Sequence, residues 1–116
     1  MMSPAYAASP NNQAKQTIMI EAPIEQVFLA SAAAFQEWKR GELVSVQEDP
    51  MQVKGLSRTN FFKFVDDITV SLSPAPDNQT QLDIHSVGRV GEYDFGGNQR
   101  NIKEYVDVLY RLLFSS

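Results

Sequence analysis

Asp66 is the first residue whose type and position raise a chemical question. It lies in a run from about Phe61 to Ser73 whose alternation puts Phe62, Phe64, Asp66, Ile68, Val70 and Leu72 on one strand face. Lys63, Val65, Asp67, Thr69 and Ser71 take the other face. An ionised carboxylate among apolar side chains is costly unless it meets a cation or several donors, so Asp66 requires a partner. Arg58, Arg89 and Arg100 are the candidates; Arg89 or Arg100 is favoured because both flank a glycine-rich turn expected to cross the sheet end beside Asp66. Such a carboxylate either has a pKa tuned for proton transfer or belongs to a structural ion pair, and the ion pair is the expectation.

His85 is the single histidine and adjoins Ser86. Neighbours along a strand point to opposite faces, so the two cannot act as base and nucleophile. His85 shares parity with Asp83, and the next strand could bring Asp67 near, which makes an Asp/Asp/His metal group conceivable. A solvated polar sheet face is the expectation instead, with no metal and no cofactor. The segment Gly88–Asn98 holds four glycines and leads into a helix. Such turns can present N–H groups to a phosphate, but this spacing is neither a Walker loop nor a dinucleotide fingerprint. Glu92 and Asp94 would repel an anion, so a structural turn is expected, with Asp94 or Asn98 capping the helix.

The elements that must position these groups follow from periodicity. Ile18 and Ile20 alternate with Thr17 and Met19 in a first strand, Lys15 to Glu21. Pro23 suits a helix start, and Ile24, Val27, Phe28, Ala34, Phe35 and Trp38 recur at helical spacing up to Gly41. Leu43–Glu48 and Met51–Thr59 read as a hairpin about Asp49-Pro50. The run through Asp66 and another from about Gln79 to Val87 add two strands, separated by Pro74–Asn78. A last helix from about Asn98 to Phe114 carries Ile102, Tyr105, Val106, Leu109, Leu112 and Leu113 on one stripe. The predicted order is β-α-β-β-β-β-α: an α+β fold with one curved antiparallel sheet and both helices on one face.

At 116 residues the chain has room for one core, and 43% hydrophobic residues suffice to build it. Zero cysteines exclude disulfides, thiolate nucleophiles and Cys-ligated metal. Fourteen acids against ten bases, net −4, argue against nucleic acid and against anionic lipid as partners. No apolar stretch reaches the length of roughly 20 residues needed to span a bilayer. Residues 1–14 read as a flexible leader and 15–116 as the single domain. Within the leader Ala5-Tyr6-Ala7 has the form signal peptidases recognise, which makes it either the remnant of an export signal or part of a disordered tail.

The stretch from Asp83 to Ile102, DIHSVGRVGEYDFGGNQRNI, resembles the signature of the domain of unknown function family 1499, which reads R-S-x-S-R-x-G-x-x-D-x-G-x-N-x-x-R-I with small variations. Upstream, Phe64-Val65-Asp66-Asp67-Ile68 is similar to that family's F-x-D-D-[VI] element, and the resemblance covers about Pro23 to Leu113. The matched positions are Asp66, Asp67, Ser86, Arg89, Gly91, Asp94, Gly96, Asn98 and Ile102. His85 stands where the family usually has Arg, Gly88 where it has Ser, and Arg100 lies one or two positions from the family's helix arginine. The family's members are bacterial, cyanobacterial and chloroplast proteins, often exported. The resemblance therefore implies a periplasmic or thylakoid-lumenal address and admits a photosystem-associated protein.

Two functions are compatible with these readings. In the first, the domain is a non-catalytic binding or accessory module that docks on a protein partner, since no catalytic constellation meets geometric requirements. In the second, it binds or transforms a small polar ligand with Asp66, Arg89, Asp94, Asn98 and Arg100 beside the glycine turn.

Overall fold

A computed structural model describes residues 11–59, 64–91 and 96–115. The elements are β1 (Gln13–Ile20), α1 (Ile24–Glu37), β2 (Gly41–Glu48), β3 (Met51–Arg58), β4 (Val65–Ala75), β5 (Gln79–Gly88) and α2 (Gly97–Phe114), with a 3-10 turn over Pro76–Asn78. The strands form one antiparallel sheet in the order β1-β5-β4-β3-β2. Both helices cover the same face of it. This is the predicted architecture.

Alternation decides which side chains meet the helices. Ile68, Val70 and Leu72 of β4, and Leu82, Ile84 and Ser86 of β5, are buried, while Asp67, Thr69 and His85 look to the other face. From α1 come Val27, Ala34 and Phe35, and from α2 Ile102, Tyr105, Val108 and Leu109. Leu112, counted in the stripe, lies on the surface at 42% exposure. The rings of Phe35 and Tyr105 lie 4.6 Å apart, with Trp38 edge-on to Tyr105 at 6.3 Å. The Tyr105 hydroxyl donates to the Ser31 carbonyl at 2.8 Å, so this ring enters the core with its polar tip satisfied.

Some boundaries differ from expectation. Helix α1 stops at Glu37, ahead of Gly41, because Trp38 turns to extended backbone as its ring enters the core, and Gly41 then opens β2. Strand β1 starts at Gln13, and both Asn12 and Ala14 are buried, so residues 11–14 belong to the fold and not to a leader. Composition hides this, because a polar, small-residue segment has the character of solvated chain. Residues 1–10 of the expected leader lie outside the described residues, as do positions 61–63 of the expected fourth strand.

Candidate functional site

The helix-covered face of the sheet ends in a polar row. Cross-strand pairing sets Gly88 of β5 beside Asp66 of β4, and Asp66 beside Ser57 of β3; Asn12 precedes β1 and accepts from the Gly88 N–H at 3.0 Å. Next inward stands Ser86, wholly buried. Above this row lie the first two turns of α2 and the end of α1.

Asn98 and Asn101 sit three residues apart on α2, so both point down onto the row. Each has no solvent exposure. The Ser86 hydroxyl donates to Asn98 Oδ1 at 2.6 Å, and Asn98 Nδ2 donates to Asn12 Oδ1 at 3.1 Å. Asn12 Nδ2 in turn donates to the carbonyls of Val90 and Gly91, both at 2.9 Å, which ties down the start of the glycine turn. Asn101 Nδ2 donates to Asp66 Oδ2 at 2.7 Å and to Ser86 Oγ at 3.1 Å. Its Oδ1 accepts from Arg40 Nη2 at 2.7 Å. Arg40 also donates through Nε to Glu104 Oε1 at 3.0 Å and lies 5.2 Å above the Trp38 ring. Trp38 Nε1 donates to that same Glu104 oxygen at 3.0 Å. Burial by itself would push the Glu104 carboxyl up, but the hydrogen bonds from Trp38 and Arg40, with the charges of Arg40 and Arg100, hold it below its ordinary value.

Asp66 therefore meets an amide and not a guanidinium. Arg89, favoured as its partner, lies on the opposite face and grips Asp67 through two bonds of 2.8 Å, with both side chains about half exposed. Arg100 is also exposed, 3.9 Å from Glu104. The expected Asp66 ion pair is thus replaced by a relay in which Arg40 reaches the carboxylate only through Asn101. Asn98 does not cap α2: the cap position is Gly96, with φ +87° and no side-chain bond, while the Asn98 amide is turned inward. Gly91 also has positive φ, +92°. Asp94 lies outside the described residues.

Of the sequence-derived group, Ser86 and Asn98 come together with Asp66 at the cluster's edge, while Asp67 and Arg89 form a separate surface pair. Asn12, Trp38, Arg40, Asn101 and Glu104 were missed. Asn101 had a legible signal, since a second amide one turn from Asn98 shares its face; Arg40 and Asn12 had none, because both act across the chain ends of other elements.

Chemically the cluster is closed. Ser86 donates to an amide oxygen and accepts from an amide nitrogen, so among the described residues no base takes its proton. His85 points to the other face, where Gln13 Oε1 lies 2.7 Å from its Nε2. Burial, then the Lys15 charge, lowers the His85 pKa. Among the described residues no group of three His, Cys, Asp or Glu side chains is placed to hold a metal.

The fold recurs in solved structures. The chain is similar to protein MLL2253 from Mesorhizobium loti at 16% identity, covering 87% of this chain and 96% of that one, with TM-score 0.63. It is similar to Ara h 8.0201 at 6% identity, covering 87% and 93%, with TM-score 0.63. Against the di-domain ARO/CYC StfQ from the steffimycin biosynthetic pathway the identity is 14%, covering 86% of this chain and 44% of that one, with TM-score 0.54. Identities this low establish the fold alone. No curated protein matches the sequence. The family model for Protein of unknown function (DUF1499) matches residues 3–109, reaching into the segment ahead of β1, and the chain belongs to that family.

Proposed function

We propose that the protein is a non-catalytic binding module that docks on a larger assembly through the uncovered face of its sheet. One observation carries this reading: a shallow groove of about 260 Å³ on that face is lined by Val44, Lys54, Asp67, Thr69 and Arg89, with Val44 58% exposed. Leu56 is buried on the same side, cross-strand from Glu42 and Asp67, and the exposed pairs Arg89–Asp67 and Arg58–Glu42 stand about it. An exposed apolar side chain within a charged border matches the anatomy of a protein–protein contact. The small-ligand or enzyme reading draws less support, because Ser86, Asn98 and Asn101 are buried and spend their hydrogen bonds internally.

No helix among the described residues is long and apolar enough to cross a membrane. The proposed address is exported, in the thylakoid lumen or periplasm, resting on Ala5-Tyr6-Ala7 and on the family resemblance, with a photosystem-associated complex as the partner class.

A photo-crosslinking residue at position 44, used in native membranes, tests the docking reading. One dominant stoichiometric adduct that disappears with Arg89→Glu is the expected result. Adduct yields no higher than from the same crosslinker at Lys103, on the helix surface, would overturn it.

A further inference from the structure

We propose that the outer edge of β1, from Lys15 to Met19, pairs with the β1 edge of a second copy of this chain, joining two five-stranded sheets into one continuous sheet. The proposal is independent of the docking reading, since it uses the sheet's edge and not its open face.

Among the described residues β1 and β2 are the two edges of the sheet. The backbone of β1 has a defined outward set. The Gly88 N–H donates to Asn12 O, and the β1–β5 register continues from there without a shift, from Gln13↔Val87 to Ile20↔Thr80. In an antiparallel ladder alternate residues bond toward the neighbour. Ala14, Gln16 and Ile18 therefore spend their backbone groups on β5, while Lys15, Thr17 and Met19 turn theirs away from the sheet. Such a row is a template for another strand.

Regularity and charge decide which edge fits. β2 carries a shift of register between Leu43 and Ser45, a bulge that turns its edge away from regular pairing, and both of its charges, Glu42 and Glu48, are acidic. β1 carries Lys15 as its one charge. Paired about Gln16 or Thr17, two copies place that lysine opposite Thr17 or Met19 of the second copy. Both alignments match odd positions with odd, so the outward backbone groups meet and the helices of both copies stay on one side.

The flank of α2 supplies the rest of the surface. α1 reaches α2 on the side of Glu104 and Val108, where Trp38 and Arg40 line the groove between them. Tyr110 lies about 200° around the helix from Val108. It thus faces away from α1, and since α1 packs over β2, β3 and β4 while α2 packs over β5 and β1, that flank overlooks the β1 edge. There Tyr110 and Phe114 stand edge to face at 5.5 Å, 37% and 53% exposed. Around a two-fold axis through β1 this aromatic pair meets its own copy, which makes the surface self-complementary.

Sedimentation velocity of the full chain, from micromolar to millimolar concentration, tests the proposal. The expected species has twice the 13.0 kDa chain mass. Thr17→Pro removes an outward N–H without touching the β5 ladder, and Tyr110→Glu brings two charges together at the axis. Each should give a monomer with wild-type circular dichroism, whereas Val46→Glu on the β2 edge should remain dimeric. A wild-type monomer at every concentration overturns the proposal and leaves the edge to a foreign strand. So does a dimer that survives Tyr110→Glu, or one that survives in a folded Thr17→Pro chain. If Thr17→Pro does not fold, Tyr110→Glu decides alone.

Discussion

Asn101 and Asp66 are joined by a 2.7 Å hydrogen bond that fastens the second turn of α2 to the start of β4. The same amide accepts from Arg40, so one side chain fixes both helices and the sheet end in register. Removing it strands three polar groups at once. Asn101→Ala should cost about 1–3 kcal/mol, as expected where buried partners lose a hydrogen bond. Asp66→Asn should cost less, because a new amide carbonyl can accept the same bond. Urea unfolding of both variants checks this; equal losses would mean that the charge on Asp66, and not the bond, is what matters.

Gly88 and Asn12 compete for one space. A Cβ on Gly88 would run into the Asn12 amide, which occupies the place where the family signature has a serine side chain. Gly88→Ser should therefore destabilise the fold, and adding Asn12→Ala should recover part of the loss. A double-mutant cycle measures the coupling. Strictly additive losses would show that the two positions do not share the space.

Gly96 caps α2 at φ +87° with nothing within 4 Å of where a Cβ would stand. Its requirement is conformational and not steric. Gly96→Ala should cost about 1–2 kcal/mol, the left-handed penalty, and Gly96→Asn less. Matching stabilities for glycine and alanine would mean that the turn relaxes to negative φ at no cost.

Two groups make stability fall with acid, in different windows. Glu104 titrates lower folded than unfolded, so its contribution is whole above the unfolded carboxyl pKa and is lost as pH falls through the folded one. Glu104→Gln should flatten that acid limb. His85 is also lowered, so below an unfolded pKa of about 6.5 the unfolded chain binds the proton more readily and stability declines. His85→Gln should remove the slope near neutrality and leave the carboxyl limb intact. Unfolding free energies measured across both windows separate them; a His85→Gln slope equal to wild type would remove the histidine's part.

The architecture was legible because each element had an unambiguous period. Ile68, Val70 and Leu72 alternate, Ile102, Tyr105 and Leu109 recur at helical spacing, and Asp49-Pro50 punctuates a hairpin. The face of Asp66 was equally legible, as was its need for a partner. The partner was not. Ranking arginines by nearness to the glycine turn favours Arg89 and Arg100, but strand parity carries Arg89 to the far face to meet Asp67, and Arg100 lies exposed beside Glu104. Arg40 reaches the cluster from the end of α1, a juxtaposition created by helix packing that no local pattern encodes. Asn12 was lost for the opposite reason: a short polar residue in a small-residue segment looks solvated until a helix closes over it.

That amide sets a limit on proteolytic trimming. A peptidase cutting after Ala7 would leave Asn12 in place, bonded to Asn98 and to the carbonyls of Val90 and Gly91. Removal of Asn12 itself would take away its bonds to Asn98 and to the carbonyls of Val90 and Gly91, and with them the tie between β1, the end of β5 and α2. Any shortening of the amino terminus that the fold tolerates therefore ends ahead of Asn12.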